Sequence, residues 1–107
     1  MARADGQTWR MHVGALRIDL HVPESRSLKT KRSSVKSIVE QLRRRFHVAV
    51  AEVDHQDQWQ RSVIGVAVVA SSYGHLCEIL DEVERFVWSR PDVMVLDIQR
   101  TWVEGEA

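Results

Sequence analysis

The stretch RSVIGVAVVA, residues 61–70, decides how the rest of the chain can be arranged. From Val63 to Ala70 it is apolar on both faces, which is typical of a strand in the middle of a sheet. Alternate residues give it one face of large side chains and one face of small side chains. The large set is Ile64, Val66 and Val68, and the small set is Gly65 and Ala67. We therefore place this segment in the centre of a β-sheet.

The segment before this strand is predicted to be its antiparallel neighbour. Residues 46–53, FHVAVAEV, alternate with Phe46, Val48 and Val50 pointing inward. The run DHQDQWQ, residues 54–60, is polar and longer than the two residues of a minimal hairpin. It is therefore interpreted as the loop between the two strands.

A helix and a further strand precede this hairpin. Residues 12–22 alternate, and Pro23 ends that strand because proline cannot donate to the ladder. Ser25 or Ser27 then offers a side-chain oxygen to cap a helix that runs to Arg45. The inward residues of the strand are Gly14, Leu16, Ile18, Leu20 and Val22, and the apolar face of the helix is Leu28, Val35, Ile38, Val39 and Leu42.

A second helix and a last strand follow the central segment. Ser71 and Ser72 lie in cap position, and Pro91 marks the end of the helix. Its apolar face is Leu76, Ile79, Leu80, Val83, Phe86 and Val87, and Cys77 is interpreted as a small buried residue of the same helix. Residues 92–103 then alternate, with Leu96 and Ile98 predicted inward and Val95, Asp97, Gln99 and Thr101 outward.

The order β-α-β-β-α-β predicts an α+β ferredoxin-like sandwich, a four-stranded antiparallel sheet with two helices on one face. The strand order expected for it is 4-1-3-2, which places the doubly apolar strand inside the sheet. With 107 residues, the chain is expected to form one domain over residues 11–103. Residues 1–10 are expected to be a flexible extension, and residues 104–107 a short acidic tail.

No segment has the hydrophobic run that a signal peptide or a membrane span requires. We therefore expect a cytoplasmic protein.

The sheet face without helices is predicted to be half polar and half apolar. An apolar patch on a small domain often marks an interface, so we expect a homodimer through this face. The predicted interface residues are Ala49, Ala51, Val63, Ala67 and Val69. The alternative is a scatter of small residues that tolerate water. Because the first and third strands carry no outward aromatic residue, base stacking on the sheet is disfavoured.

The first helix concentrates positive charge, although the net charge of the protein is zero. Residues 25–45 carry eight Lys or Arg residues and one carboxylate, Glu40. Cations in the first turns oppose the helix dipole and lie beside backbone N–H groups that bind anions. We therefore predict contacts with RNA phosphates, with Arg17 as a further contributor. The predicted nucleic-acid-binding residues are Lys29, Lys31, Arg32, Lys36 and Arg43.

The alternative interpretation of these charges is a solvated helix surface. Glu40 would then pair with Lys36 and Arg44 at i, i+4 spacing, and the acidic second helix would lie alongside. The acids of that helix are Glu78, Asp81, Glu82 and Glu84.

The loop 54–60 gathers carboxylates, an imidazole and an indole. Asp54, His55 and Asp57 could bind a metal or a ligand, but their spacing matches no zinc signature. The chain contains no Gly-rich phosphate loop, no G-x-S-x-G elbow and no CxxC pair. We therefore predict no catalytic residue, no metal and no cofactor, and leave an enzyme or ligand site at the loop as a third alternative.

Two segments carry a resemblance to a known family. Residues 11–46, with SLKTKR at 27–32, and residues 50–69, with DHQDQWQR at 54–61, resemble the YlxP-like family of small bacterial proteins. The resemblance implies a ferredoxin-like fold and genes that commonly lie near those for translation initiation and ribosome maturation factors. It supplies no activity. Thr30 stands where the family usually has an acid, which makes the helix start more positive.

These observations together predict a non-enzymatic, translation-linked protein that binds RNA or a ribosomal component through its basic first helix. The alternative is a homo-oligomeric protein-protein interaction module without nucleic-acid binding. The sequence leaves the RNA target and the dimer geometry open.

Overall fold

The computed structural model describes residues 11–23 and 25–103. The predicted extension 1–10 and acidic tail 104–107 lie outside these residues. All six predicted elements are confirmed in the predicted order. They are β1 (His12–His21), α1 (Leu28–Phe46), β2 (Ala49–Asp54), β3 (Arg61–Ala70), α2 (Tyr73–Trp88) and β4 (Met94–Val103).

The four strands form one antiparallel sheet in the order β2-β3-β1-β4. This is the predicted order read from the opposite edge, with β3 and β1 inside and β2 and β4 at the edges. The buried residues of both helices belong to one hydrophobic core with Leu16, Ile18 and Leu20 of β1. The helices therefore cover the same face of the sheet, and the fold is ferredoxin-like.

Serine residues begin both helices. The hydroxyl of Ser27 accepts a hydrogen bond from the Thr30 N–H at 3.1 Å, and that of Ser72 accepts one from the His75 N–H at 3.1 Å. Ser25, the other predicted cap of α1, is buried instead and donates to the carbonyl of Ser27. Each cap satisfies a backbone donor that the helix start leaves without an intrahelical partner.

α2 packs directly against the backbone of β1 at Gly14. A Cβ atom at this position would lie 3.1 Å from Cδ1 of Leu80 and 3.4 Å from the methyl groups of Leu76. The absence of a side chain at Gly14 therefore sets how closely the helix approaches the sheet. On the same helix Cys77, which was predicted to be buried, is only half-buried.

The start of β4 differs from the prediction. Val95 is 9% exposed and Leu96 is 47% exposed, so the expected inward Leu96 and outward Val95 are wrong. The pairing of β1 with β4 shifts between Asp19 and Leu20, where a bulge inserts one extra residue into β4. Beyond the bulge, Ile98 lies opposite Ile18 and packs on the core as predicted.

Neither helix in residues 11–23 and 25–103 has the combination of length and apolar composition that crossing a membrane requires.

Candidate functional site

Lys31 is fully buried, and its predicted contact with RNA is wrong. Its Nζ atom donates to Oε2 of Glu52 at 2.8 Å and to the carbonyls of His55 and Gln56 at 3.0 Å each. These three bonds use all three donors of the ammonium group. Lys31 is therefore unavailable to a phosphate group.

The carboxylate of Glu52 has a second partner. The hydroxyl of Ser62, which is also fully buried, donates to the same Oε2 atom at 2.6 Å. We refer to Lys31, Glu52 and Ser62 as the Lys31 anchor. Because Glu52 and Ser62 belong to neighbouring strands, the anchor ties the first turn of α1 to both strands of the β2–β3 hairpin at its loop end.

The sequence contained a signal for this anchor. Lys31 precedes Val35, Ile38 and Leu42 by four, seven and eleven residues, which places it on the apolar face of α1. Glu52 likewise follows Val48 and Val50 at the strand period of two. Both charged side chains therefore point inward by periodicity, and a buried charge needs an opposite partner.

The loop 54–60 is also held at its other end. The side-chain amide of Gln60 donates to the carbonyl of Ser25 at 3.0 Å, and the carbonyl of Gln60 accepts from the Val22 N–H at 2.9 Å. In the sequence, Trp59 lies between Gln60 and the residues whose carbonyls Lys31 binds, His55 and Gln56. Its side chain is 56% exposed.

The other four predicted cations of α1 are exposed and form what we call the basic stripe: Lys29, Arg32, Lys36 and Arg43. Two contacts place the stripe on the side of α1 nearest the edge strand β2. Nη2 of Arg32 lies 3.6 Å from Oδ1 of Asp57, and Nη2 of Arg43 donates to the carbonyl of Val50 at 2.8 Å. The predicted contacts of these four residues with RNA stay a prediction.

The expected pairing of Lys36 with Glu40 is present, at 4.0 Å between two exposed side chains. The acids of α2 are arranged differently from the alternative interpretation. Asp81 and Glu84 both accept hydrogen bonds from Arg100 of β4. Partial burial lowers the pKa of Arg100, but these two carboxylates outweigh it and raise the pKa overall. Two of the four acids of α2 therefore pair with Arg100 of β4 and not with the cations of α1.

Two ion pairs lie on the sheet face without helices. Arg61 binds both carboxylate oxygens of Asp19 at 2.9 and 3.0 Å. Arg17 lies 3.5 Å from Asp54, so this pair spans from β1 to β2 across β3. Arg17 is thus on the opposite face of the sheet from the basic stripe.

Val63 is fully buried, so its predicted place in an exposed interface is wrong. It lies opposite Asp19 in β1 and Asp54 in β2, between the two ion pairs. The other four predicted interface residues are exposed: Ala49, Ala51, Ala67 and Val69. A shallow groove of about 380 Å³ runs over this part of the sheet, lined by Ala15, Ala49, Ala51, Val53, Gly65 and Ala67.

The carboxylates of the loop 54–60 point to different partners, Asp54 to Arg17 and Asp57 to Arg32. Within residues 11–23 and 25–103, no three His, Cys, Asp or Glu side chains are placed to hold a metal ion. The described loop therefore presents polar backbone and side-chain groups at the surface, and the Lys31 anchor fixes the position of the loop.

Comparison with known proteins confirms the family resemblance. The chain is similar to the uncharacterized protein YlxP of Bacillus subtilis strain 168, with 32% identity over 81 residues, 76% of this chain and 88% of that protein. A de novo designed protein, Foldit4, is similar over 85% of this chain and 96% of its own, with 15% identity and a TM-score of 0.48. Residues 13–100 match the model of the family described as "Protein of unknown function (DUF503)", and the chain therefore belongs to the DUF503 family.

Proposed function

We propose that this protein binds RNA, with ribosomal RNA as the first target to examine, and performs no chemical catalysis. The observation that supports the proposal best is the basic stripe. Its four cations are exposed, share one side of α1 and follow the edge of the sheet. Such a linear array of cations can contact successive phosphates along a nucleic-acid backbone.

The position of two stripe residues favours an anionic ligand. The first turn of α1 contains no acidic residue, so Lys29 and Arg32 oppose the helix dipole without compensation from that turn. The same turn presents backbone N–H groups that attract phosphate. A bound phosphate would stabilise these cations and the helix start together.

The ion pairs of the stripe are weak enough for phosphate to compete. The side chains of Arg32 and Asp57 are 58% and 93% exposed, and their charged atoms lie 3.6 Å apart. Exposed pairs of this kind contribute about 0.2 to 1 kcal/mol and are screened by salt. Arg32 can therefore exchange Asp57 for a phosphate at little cost.

Charge reversal with a matched control tests the proposal. The double variant Lys29→Glu/Lys36→Glu should weaken binding to ribosomal RNA at least tenfold at 100 mM salt, measured by filter binding. The control Arg44→Glu/Arg85→Glu changes the net charge equally at exposed positions outside the stripe and should bind nearly as the unaltered protein does. Equal losses in the two variants, or no binding by the unaltered protein, would contradict the proposal.

A second candidate function is self-association as an interaction module, in which a second copy covers the open sheet face. The groove over Ala51, Gly65 and Ala67 is apolar and exposed. Beside it, the pairs Arg17–Asp54 and Arg61–Asp19 contain two cations and two anions. Two copies of this face can therefore meet without electrostatic repulsion, and the oligomeric state in solution is the test.

A further inference from the structure

We infer that Trp59 is a stacking surface for an unpaired base, so that the RNA bound at the basic stripe is single-stranded beside the loop 54–60. The inference rests on the proposed function and specifies its ligand. It combines three features of the described residues: an exposed indole, a loop fixed at both ends, and cations next to that loop.

The side chain of Trp59 is exposed although the backbone on both sides of it is fixed. Lys31 holds the carbonyls of His55 and Gln56, and Gln60 is bonded to Ser25 and Val22. A large apolar side chain on so short and doubly attached a loop could have been folded against the sheet. It is instead 56% exposed. Because the backbone of this loop is already fixed, little backbone entropy is lost when a ligand stacks on the indole.

The loop brings this indole beside the basic stripe. Asp57, two residues before Trp59, contacts Arg32, and Gln60, the next residue, binds the segment that leads into α1. A nucleotide stacked on Trp59 would therefore have its backbone near the positive start of α1. Proteins that bind single strands commonly combine a basic track with aromatic stacking in this way.

Other surfaces are less suited to receive a base. The face of β1 and β3 that points away from the helices presents Ala15, Arg17, Gly65 and Ala67 and no Phe, Tyr or Trp. Among the other exposed aromatic residues of the described chain, Tyr73 packs against Trp102 with ring centroids 5.4 Å apart. Trp88 is the last residue of α2 and is 62% exposed, which makes it a matched control for Trp59.

The test measures binding of a 12-nucleotide RNA, first single-stranded and then annealed to its complement, by fluorescence anisotropy with a labelled strand. Trp59→Ala should weaken single-strand binding about tenfold, whereas Trp59→Phe should retain most of it because phenylalanine still offers an aromatic face. Trp88→Ala should leave the affinity unchanged. The duplex should bind more weakly than the single strand.

The outcomes separate the inference from the proposed function. If Trp59→Ala binds as the unaltered protein does while Lys29→Glu/Lys36→Glu binds weakly, the stacking inference is overturned and RNA binding by the stripe stands. Preference for the duplex, or equal losses in Trp59→Ala and Trp88→Ala, would also overturn it. If the unaltered protein binds neither form of RNA, both ideas fail.

Discussion

Lys31 is the side chain through which the first turn of α1 holds the β2–β3 hairpin in place. Its ammonium group is surrounded by Glu52 and by two loop carbonyls, with no exposure to water. Removing one partner of a buried pair costs more than the pair itself contributes, because the remaining charge stays desolvated. The stability of the hairpin end should therefore be sensitive to this one position.

Lys31→Met should lower the free energy of unfolding by about 3 kcal/mol, since it leaves Glu52 without its cation. Urea denaturation followed by circular dichroism measures the change. Lys29→Met, at an exposed position of the same helical turn, should change it by less than about 0.5 kcal/mol. The double variant Lys31→Met/Glu52→Gln should be more stable than the sum of the single losses predicts; strict additivity would argue against the anchor.

Periodicity placed single residues on the correct face more reliably than it identified their partners. Lys31 was predicted to contact RNA although its spacing places it on the apolar face of α1, and no pattern could show that it meets Glu52, because 21 residues separate them along the chain. For Val63, the orientation could be predicted but the burial could not. Its outward orientation was predictable from alternation, but its burial depends on two ion pairs formed by residues of β1, β2 and β3.

Among the helices and strands, the contact of α2 with β1 depends on close approach at Gly14. The terminal methyl groups of Leu80 and Leu76 occupy the space that a side chain there would need. Strand β4 carries the other local irregularity, the bulge that exchanges Val95 and Leu96 between faces. Both features set the distance or the register between elements.

Gly14→Val should lower the free energy of unfolding by about 2 kcal/mol, because the added methyl groups would overpack the leucine contacts. Gly74, in the first turn of α2, provides the control, since a Cβ atom there meets nothing within 4 Å. Gly74→Ala should be neutral or stabilise by about 0.5 kcal/mol through helix propensity. Thermal unfolding of both variants measures the difference, and a neutral Gly14→Val would show that α2 can move away freely.

The type and order of the elements could be predicted because most of them have a clear hydrophobic period, β3 is continuously apolar, and a proline or serine lies near several of the boundaries. Pro23, Ser27 and Ser72 marked where strands end and helices begin. The bulge in β4 could not be predicted in the same way. One inserted residue reverses the sheet face to which the preceding residues of the strand point. The composition of residues 92–103 does not reveal where this insertion lies.

Considered as a whole, the molecule has zero net charge but separates its charges between surfaces. The basic stripe lies on the side of α1 nearest β2, whereas Asp81 and Glu84 are bound to Arg100 between α2 and β4. The open sheet face carries balanced pairs beside an apolar groove. The helical layer and the open sheet are therefore two surfaces of different charge character.

If a second copy covers the open face, the protein should show twice the monomer mass in light scattering at micromolar concentration. Ala67→Glu places a charge in the apolar groove and should shift the mass to that of the monomer. Ser33→Glu adds the same charge at an exposed position of α1 and should remain dimeric. A monomeric unaltered protein would exclude self-association through this face under those conditions.

The Lys31 anchor also provides a chemical reporter. The chain contains three lysines, at positions 29, 31 and 36, and all of them lie in α1. An amine-reactive reagent can label the exposed Lys29 and Lys36 directly. It reaches Lys31 only when the hydrogen bonds from Nζ to Glu52 and to the loop carbonyls are broken. A time course of Lys31 labelling, followed by mass spectrometry, therefore measures how often the hairpin end opens.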